Sequence, residues 1–165
     1  EKQDWVSRQG YQGPWREAMR TMNSHDRNTF LKHFNRCREE QLDTHYGACE
    51  LRIPENARLV ADSLLFFDGK RYEMGDFVIM PNHVHLLAMF PRPEEMKKTF
   101  DSWLHYTAVR INRRTGRKGK LWQQEPFDHL VRSVEQYDYL RKYIADNPLK
   151  AGLRAGEFLY RCLEE

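Results

Sequence analysis

Residues 81–87 read PNHVHLL, two histidines one residue apart inside an otherwise apolar run. On a β-strand successive side chains alternate between faces. His83 and His85 would then point the same way, with Leu87 and Met89, while Val84, Leu86 and Ala88 point the other. Two imidazoles whose Cα atoms are about 6 to 7 Å apart can converge on one metal ion. They can equally be hydrogen-bonded histidines of a core or a sheet edge, and the spacing alone leaves both readings open. A metal site needs further ligands, and Tyr139, Tyr143 and Asn147 recur at i, i+4 and i+8, along one face of a helix. Tyr137 and Tyr139 read as packing residues, because tyrosines at this spacing usually belong to a core.

The elements that must position these residues follow from local signals. Ser133 with Gln136 forms a capping box, and Asn147-Pro148 disfavours continuation, so a helix is expected over 134–146 with Asn147 at its frayed end. The runs RYEMGDFVIM and HVHLLAMF, joined by Pro81-Asn82, read as an antiparallel hairpin. Upstream, a helix starts at Pro54 and stops at Gly69; downstream, another spans Pro93 to about Asn112 and uses Met96, Phe100, Trp103, Leu104 and Ala108. FDHLVR (127–132) alternates like a further strand, and His129 within it reads as a structural histidine, whereas Glu125 has no assigned role. The first 46 residues look helical: Pro14 suits a first helical position, and Phe30, Leu31, Phe34 and Cys37 share one face. Strands interleaved with helices, one pair antiparallel, give an α+β layer of helices on a sheet.

A chain of 165 residues with 40% hydrophobic and 31% charged residues is a globular protein rather than a disordered or membrane one. Its longest apolar run, Leu86 to Phe90, is far too short for a bilayer, so a cytoplasmic location and no membrane partner are expected. Cys37, Cys49 and Cys162 are odd in number and scattered, which suits buried thiols rather than a disulfide framework. The net charge of +3 permits a nucleic-acid partner. The steepest local field lies in RINRRTGRKGK, where Arg110, Arg113, Arg114, Arg117, Lys118 and Lys120 occur with no acid between them. A loop of this kind could hold phosphates, with Trp122 as a surface on which a base could stack; Trp103, at helical spacing, reads as core.

Three of these stretches together carry a resemblance. VIMPNHVHLL resembles the histidine-hydrophobic-histidine (HUH) signature of single-tyrosine transposases, YIADNPLKAGL is similar to the tyrosine helix of their REP-associated branch, and LWQQEPFDHLVRS to the segment that links the two motifs. The resemblance covers roughly residues 50 to 155. It implies a ferredoxin-like or RRM-like antiparallel sheet with the histidines on a central strand, and the tyrosine helix packed alongside. It also implies His83 and His85 as metal ligands, Tyr143 as nucleophile and Asn147 as third ligand. The chain would then be one domain over 1–165, with a helical N-terminal insertion (1–50) and a catalytic core (51–155). Family members usually open with a sheet strand ahead of their first helices. Here the chain opens at Glu1 in polar sequence, so a truncated start and an incomplete sheet are expected.

The implied chemistry is cleavage and resealing of single-stranded DNA beside a hairpin through a 5′-phosphotyrosine, which stores the bond energy between the two steps. Imidazole, amide and phosphate ligands suit Mn²⁺ or Mg²⁺, with zinc a second choice. The protein would act as a monomer or homodimer. Two alternatives are a DNA-hairpin-binding module that kept the scaffold without catalysis, and a metal hydrolase in which water replaces the tyrosine.

Overall fold

The computed structural model describes residues 1–43, 49–123 and 129–163. The chain forms two compact units, 1–44 and 45–165. In the first, α1 (Lys2–Arg8), α2 (Trp15–Thr21) and α3 (Ser24–Asp43) bury Val6, Ala18, Met22 and Phe30. Pro14 sits one position ahead of the helix, as its cap. Leu31 and Phe34 pack on this cluster as the helical spacing predicts.

The second unit contains α4 (Pro54–Leu65), β1 (Glu73–Ile79), β2 (Val84–Met89), α5 (Pro93–Thr115), α6 (Val134–Lys150) and β3 (Leu159–Arg161). This is an α+β fold around an antiparallel sheet of order β2-β1-β3. The expected hairpin is β1-β2, in the register Ile79↔Val84, Val78↔His85 and Phe77↔Leu86, and its turn is closed by the Met80 N–H donating to the His83 carbonyl at 2.9 Å. Alternation then separates two cores. Phe77, Ile79, Val84, Leu86 and Ala88 pack with α4 and α5, while Val78, Leu87 and Ile144 pack on the side of α6. Each fully buried side chain of this size contributes about 1.5–3 kcal/mol.

The register slips between Met74 and Phe77, so that Gly75 and Asp76 both oppose Leu87 in a β-bulge. The extra residue puts Met74 on the α4/α5 face with Phe77, while Asp76, two residues before Val78, faces α6. Only glycine fits there without displacement, since a Cβ on Gly75 would lie 3.2 Å from both the Cβ and the carbonyl oxygen of Leu87.

Asp76 is 1% exposed. One carboxylate oxygen accepts from Arg141 Nε at 3.0 Å and the other from the Leu163 N–H at 2.7 Å, while Arg141 Nη2 donates to the Leu163 carbonyl at 3.1 Å. The hydrogen bond to Asp76 raises the guanidinium pKa above its ordinary value. Sheet, helix α6 and the segment after β3 are thereby joined at one carboxylate.

Several sequence expectations need correction. The histidine strand is an edge strand of the described sheet rather than a central one, because β3 occupies the far side of β1 and no described strand pairs with the outer side of β2. Residues 129–132 carry no strand, and 127–128 lie outside the described residues; the third strand comes instead from Leu159–Arg161. Helix α4 ends at Leu65, short of Gly69: the Asp68 N–H turns to the Leu65 carbonyl at 3.1 Å and the Gly69 N–H leaves the helix for the Tyr72 carbonyl at 2.9 Å, while the Tyr72 hydroxyl donates to the Leu64 carbonyl at 2.7 Å. Helix α5 runs to Thr115, past Asn112, and stops where Gly116 takes φ 70°. None of the cysteines is fully buried, and Cys162 is exposed. No helix among the described residues is long and apolar enough to cross a membrane.

Asp76→Ala is expected to destabilise the chain by about 3 kcal/mol, the lower end for breaking a buried pair, because Arg141 keeps some contact with water. Urea unfolding followed by circular dichroism measures it.

Candidate active site

His83 is the last residue of the hairpin turn and His85 the second residue of β2. Their rings stand nearly perpendicular with centroids 4.7 Å apart, and their Nε2 atoms face each other at 3.0 Å. His83 is 8% exposed, and its Nδ1 is 2.7 Å from Asn82 Oδ1. An amide oxygen only accepts, so Nδ1 carries the proton and the Nε2 lone pair is turned toward His85. Asn82 thus fixes the tautomer, as the outer partner of a metal-binding histidine usually does. The sequence shows Asn82 only as a turn residue, which hides this role.

Helix α6 brings the tyrosine. Ser133 accepts from the Gln136 N–H at 3.1 Å and Gln136 reaches back to the Arg132 N–H at 2.9 Å, so the helix starts where its capping box places it. It does not stop at 146. Pro148 lies inside the last turn, which closes through Ala151 N–H to Asn147 O and Leu153 N–H to Pro148 O, with Gly152 at φ 68° ending the helix. Pro148 removes only the hydrogen bond to Ile144, and its burial against the sheet side offsets that loss. Asn147 is therefore an inner residue, 3% exposed, rather than part of a frayed end.

Tyr143 lies edge-on to His85, with centroids 5.4 Å apart and planes at 82°. Lys150 Nζ stands 5.0 Å from the centre of the Tyr143 ring. Asn147, one turn on from Tyr143 along the same flank of α6, has a buried Oδ1 with no hydrogen-bond partner. Among the described residues no three His, Cys, Asp or Glu side chains form a metal-binding group. The orphaned Asn147 amide oxygen is of a type that could serve as a ligand.

The other singled-out residues lie elsewhere. Arg110, Arg113 and Arg114 belong to the last turns of α5, not to a loop; Arg117, Lys118 and Lys120 follow it. Arg114 pairs with Glu55 at 2.9 Å and Arg117 with Glu50 at 3.0 Å, so two of the six charges are locally matched. Trp122 packs on the α4/α5 core and its indole N–H donates to Thr107 Oγ1 at 2.8 Å. All of this is on the sheet face away from Tyr143. Trp103 is core, as expected. Tyr137 packs beside Ile144, whereas Tyr139 is 66% exposed and is not a packing residue. His129 is exposed and 2.6 Å from the Gln136 amide, at the start of α6; Glu125 lies outside the described residues.

The family model of IS200-like transposases matches residues 65–147, just over half of the chain. The chain belongs to the IS200-like transposase family. The match opens at the end of α4, takes in both histidines and Tyr143, and ends on Asn147. Comparison with curated proteins and with solved structures finds no match. A transposase-like activity follows for this IS200-like transposase, and its α+β sheet agrees with the family.

Because a buried unpaired amide oxygen costs about 1–3 kcal/mol, Asn147→Leu, of similar size, is expected to raise the unfolding free energy by about 1 kcal/mol. A urea titration of the metal-free protein checks this.

Proposed function

We propose that the chain is a metal-dependent, single-stranded DNA nickase and strand-transferase that uses Tyr143 as nucleophile at hairpin-flanked sites of the REP-associated kind. The observation that carries this reading is the packing of Tyr143 against His85, whose Nε2 faces that of His83 at 3.0 Å. Phenol and paired imidazoles are thereby brought together where α6 packs on the hairpin, with the orphaned Asn147 amide oxygen one turn on from the phenol.

In the first step the Tyr143 hydroxyl gives up its proton to solvent and its oxygen attacks the scissile phosphorus, forming a phosphotyrosine on the 5′ side. The P–O3′ bond breaks, and the departing 3′ oxygen takes up a proton to leave a free hydroxyl. Attack by a 3′-hydroxyl on the phosphotyrosine reverses these bonds and reseals a strand, with no outside energy source. Divalent Mn²⁺ or Mg²⁺, when held by His83, His85 and Asn147, supplies positive charge against the phosphate oxygens. Lys150 adds a second positive charge beside the phenol, which favours the developing phenolate over the neutral ring. Asn82 holds His83 in the tautomer that presents Nε2. A recessed site of this kind suits a single strand that can be threaded past it. The protein would work as a monomer or homodimer in the cytoplasm.

Incubating hairpin-flanked oligonucleotides with the protein and Mn²⁺ is expected to give a covalent adduct that survives denaturing electrophoresis. EDTA or Tyr143→Phe abolishes it, and His85→Ala lowers its rate by roughly 100-fold or more. Mn²⁺ is expected to raise the urea midpoint of the wild type but not of His85→Ala or Asn147→Leu. Cleavage that persists in Tyr143→Phe would point to water as the nucleophile; hairpin binding with no adduct at saturating Mn²⁺ would leave only a binding module.

A further inference from the structure

A cavity of the second unit lies on the sheet face opposite Tyr143, between α4, α5 and the segment leading into β3. Its volume is about 920 Å³, at the upper end for small-ligand sites and roomy enough for more than one nucleobase. Trp103 lines it and is buried. Its rim carries Phe66, 71% exposed, and Tyr106, 48% exposed. Bare aromatic surface of this size is unfavourable in water unless something covers it.

Each rim also pairs an aromatic ring with an arginine. The Arg71 guanidinium lies 3.7 Å from the centre of the Phe67 ring, and that of Arg110 lies 5.9 Å from the centre of Tyr106. Arg52 and Arg58 line the same cavity. Ion pairs on this face use Arg114 and Arg117 instead, and none of the four cavity arginines forms one among the described residues. Of the acids that line the cavity, Glu55 is matched by Arg114, which leaves Asp62 and Glu157 against four guanidinium groups.

From this juxtaposition we propose that the cavity is a subsite for unpaired DNA, with bases stacking on Phe66 and Tyr106 and backbone phosphates held by Arg52, Arg58, Arg71 and Arg110. It rests on the proposed function, which makes single-stranded DNA the substrate, and adds where a stretch of that strand away from the cut is held. The chemistry fits a single strand better than a duplex. Every base has a stackable face once unpaired, and none is available within a helix. Sequence inspection points to tryptophans for this role; Trp103 and Trp122 are both built into the core, and the exposed rings are a phenylalanine and a tyrosine that look like ordinary packing residues in the sequence.

The test measures binding of a fluorescent unpaired 12-nucleotide strand by anisotropy, in EDTA and on the Tyr143→Phe background, so that neither cleavage nor metal contributes. Phe66→Ala, which removes an exposed ring and leaves the core intact, is expected to weaken binding about 10-fold, the equivalent of one lost stacking contact. Arg58→Ala is expected to lower the slope of log affinity against log salt by about 0.7. Crosslinking with 5-iodouracil in the strand, mapped by mass spectrometry, is expected to mark Phe66 or Tyr106. Unchanged affinity in Phe66→Ala, an equal loss for a duplex of the same sequence, or crosslinks confined to the α6 face would each overturn the proposal. A missing adduct in the wild type would instead count against the tyrosine chemistry, because none of these readouts depends on it.

Discussion

The bond between Asp76 and Arg141 sets the geometry on which the rest of the second unit depends. A helix lying on a sheet through apolar contacts alone can roll about its own axis at small cost, because dispersion and burial are not directional. Arg141 and Tyr143 sit on opposite flanks of the stripe that α6 buries, Arg141 toward β1 and the segment after β3, Tyr143 toward β2. Fixing one flank by directed hydrogen bonds fixes the roll, and with it the direction of the phenol. Asp76 lies two residues before Val78, so alternation along β1 presents it to α6, and one carboxylate on the sheet thereby helps set the aim of a side chain on the helix.

This coupling explains which parts of the structure were legible in the sequence. The hairpin, the alternation that pairs His83 with His85, and the start of α6 are written in patterns of two to seven residues, and the structure follows them. Strand β3 is three residues long and has no periodicity to read; it exists because β1 offers a free edge and the Asp76 clasp holds the residues beyond it. The end of α6 departs from its local pattern for a related reason. A proline usually terminates a helix, but here it is packed into the core and the stop falls to Gly152. Contacts such as Asp76 to Arg141 join positions 65 residues apart and leave no local trace.

The division of labour between the two sheet faces follows from the same alternation. One face of β2 presents His85 and Leu87 to α6; the other presents Val84, Leu86 and Ala88 to α4 and α5. Basic residues at the end of α5 therefore lie behind the sheet from Tyr143, and a nucleic acid touching both must pass around the sheet rather than across one surface. Family membership accounts for residues 65–147, which hold the histidines, Tyr143 and Asn147.

Gly75 has no functional group, yet it governs how near β2 can approach β1. Leu87 rests where any larger residue would put a methyl, and His85 is two positions away on the same strand. A methyl at that point would require Leu87, on the strand that carries the imidazole, to give by a few tenths of an ångström. How closely the histidine strand lies against its neighbour is therefore set partly by a hydrogen atom, at a position that a survey confined to polar or ionisable side chains would pass over.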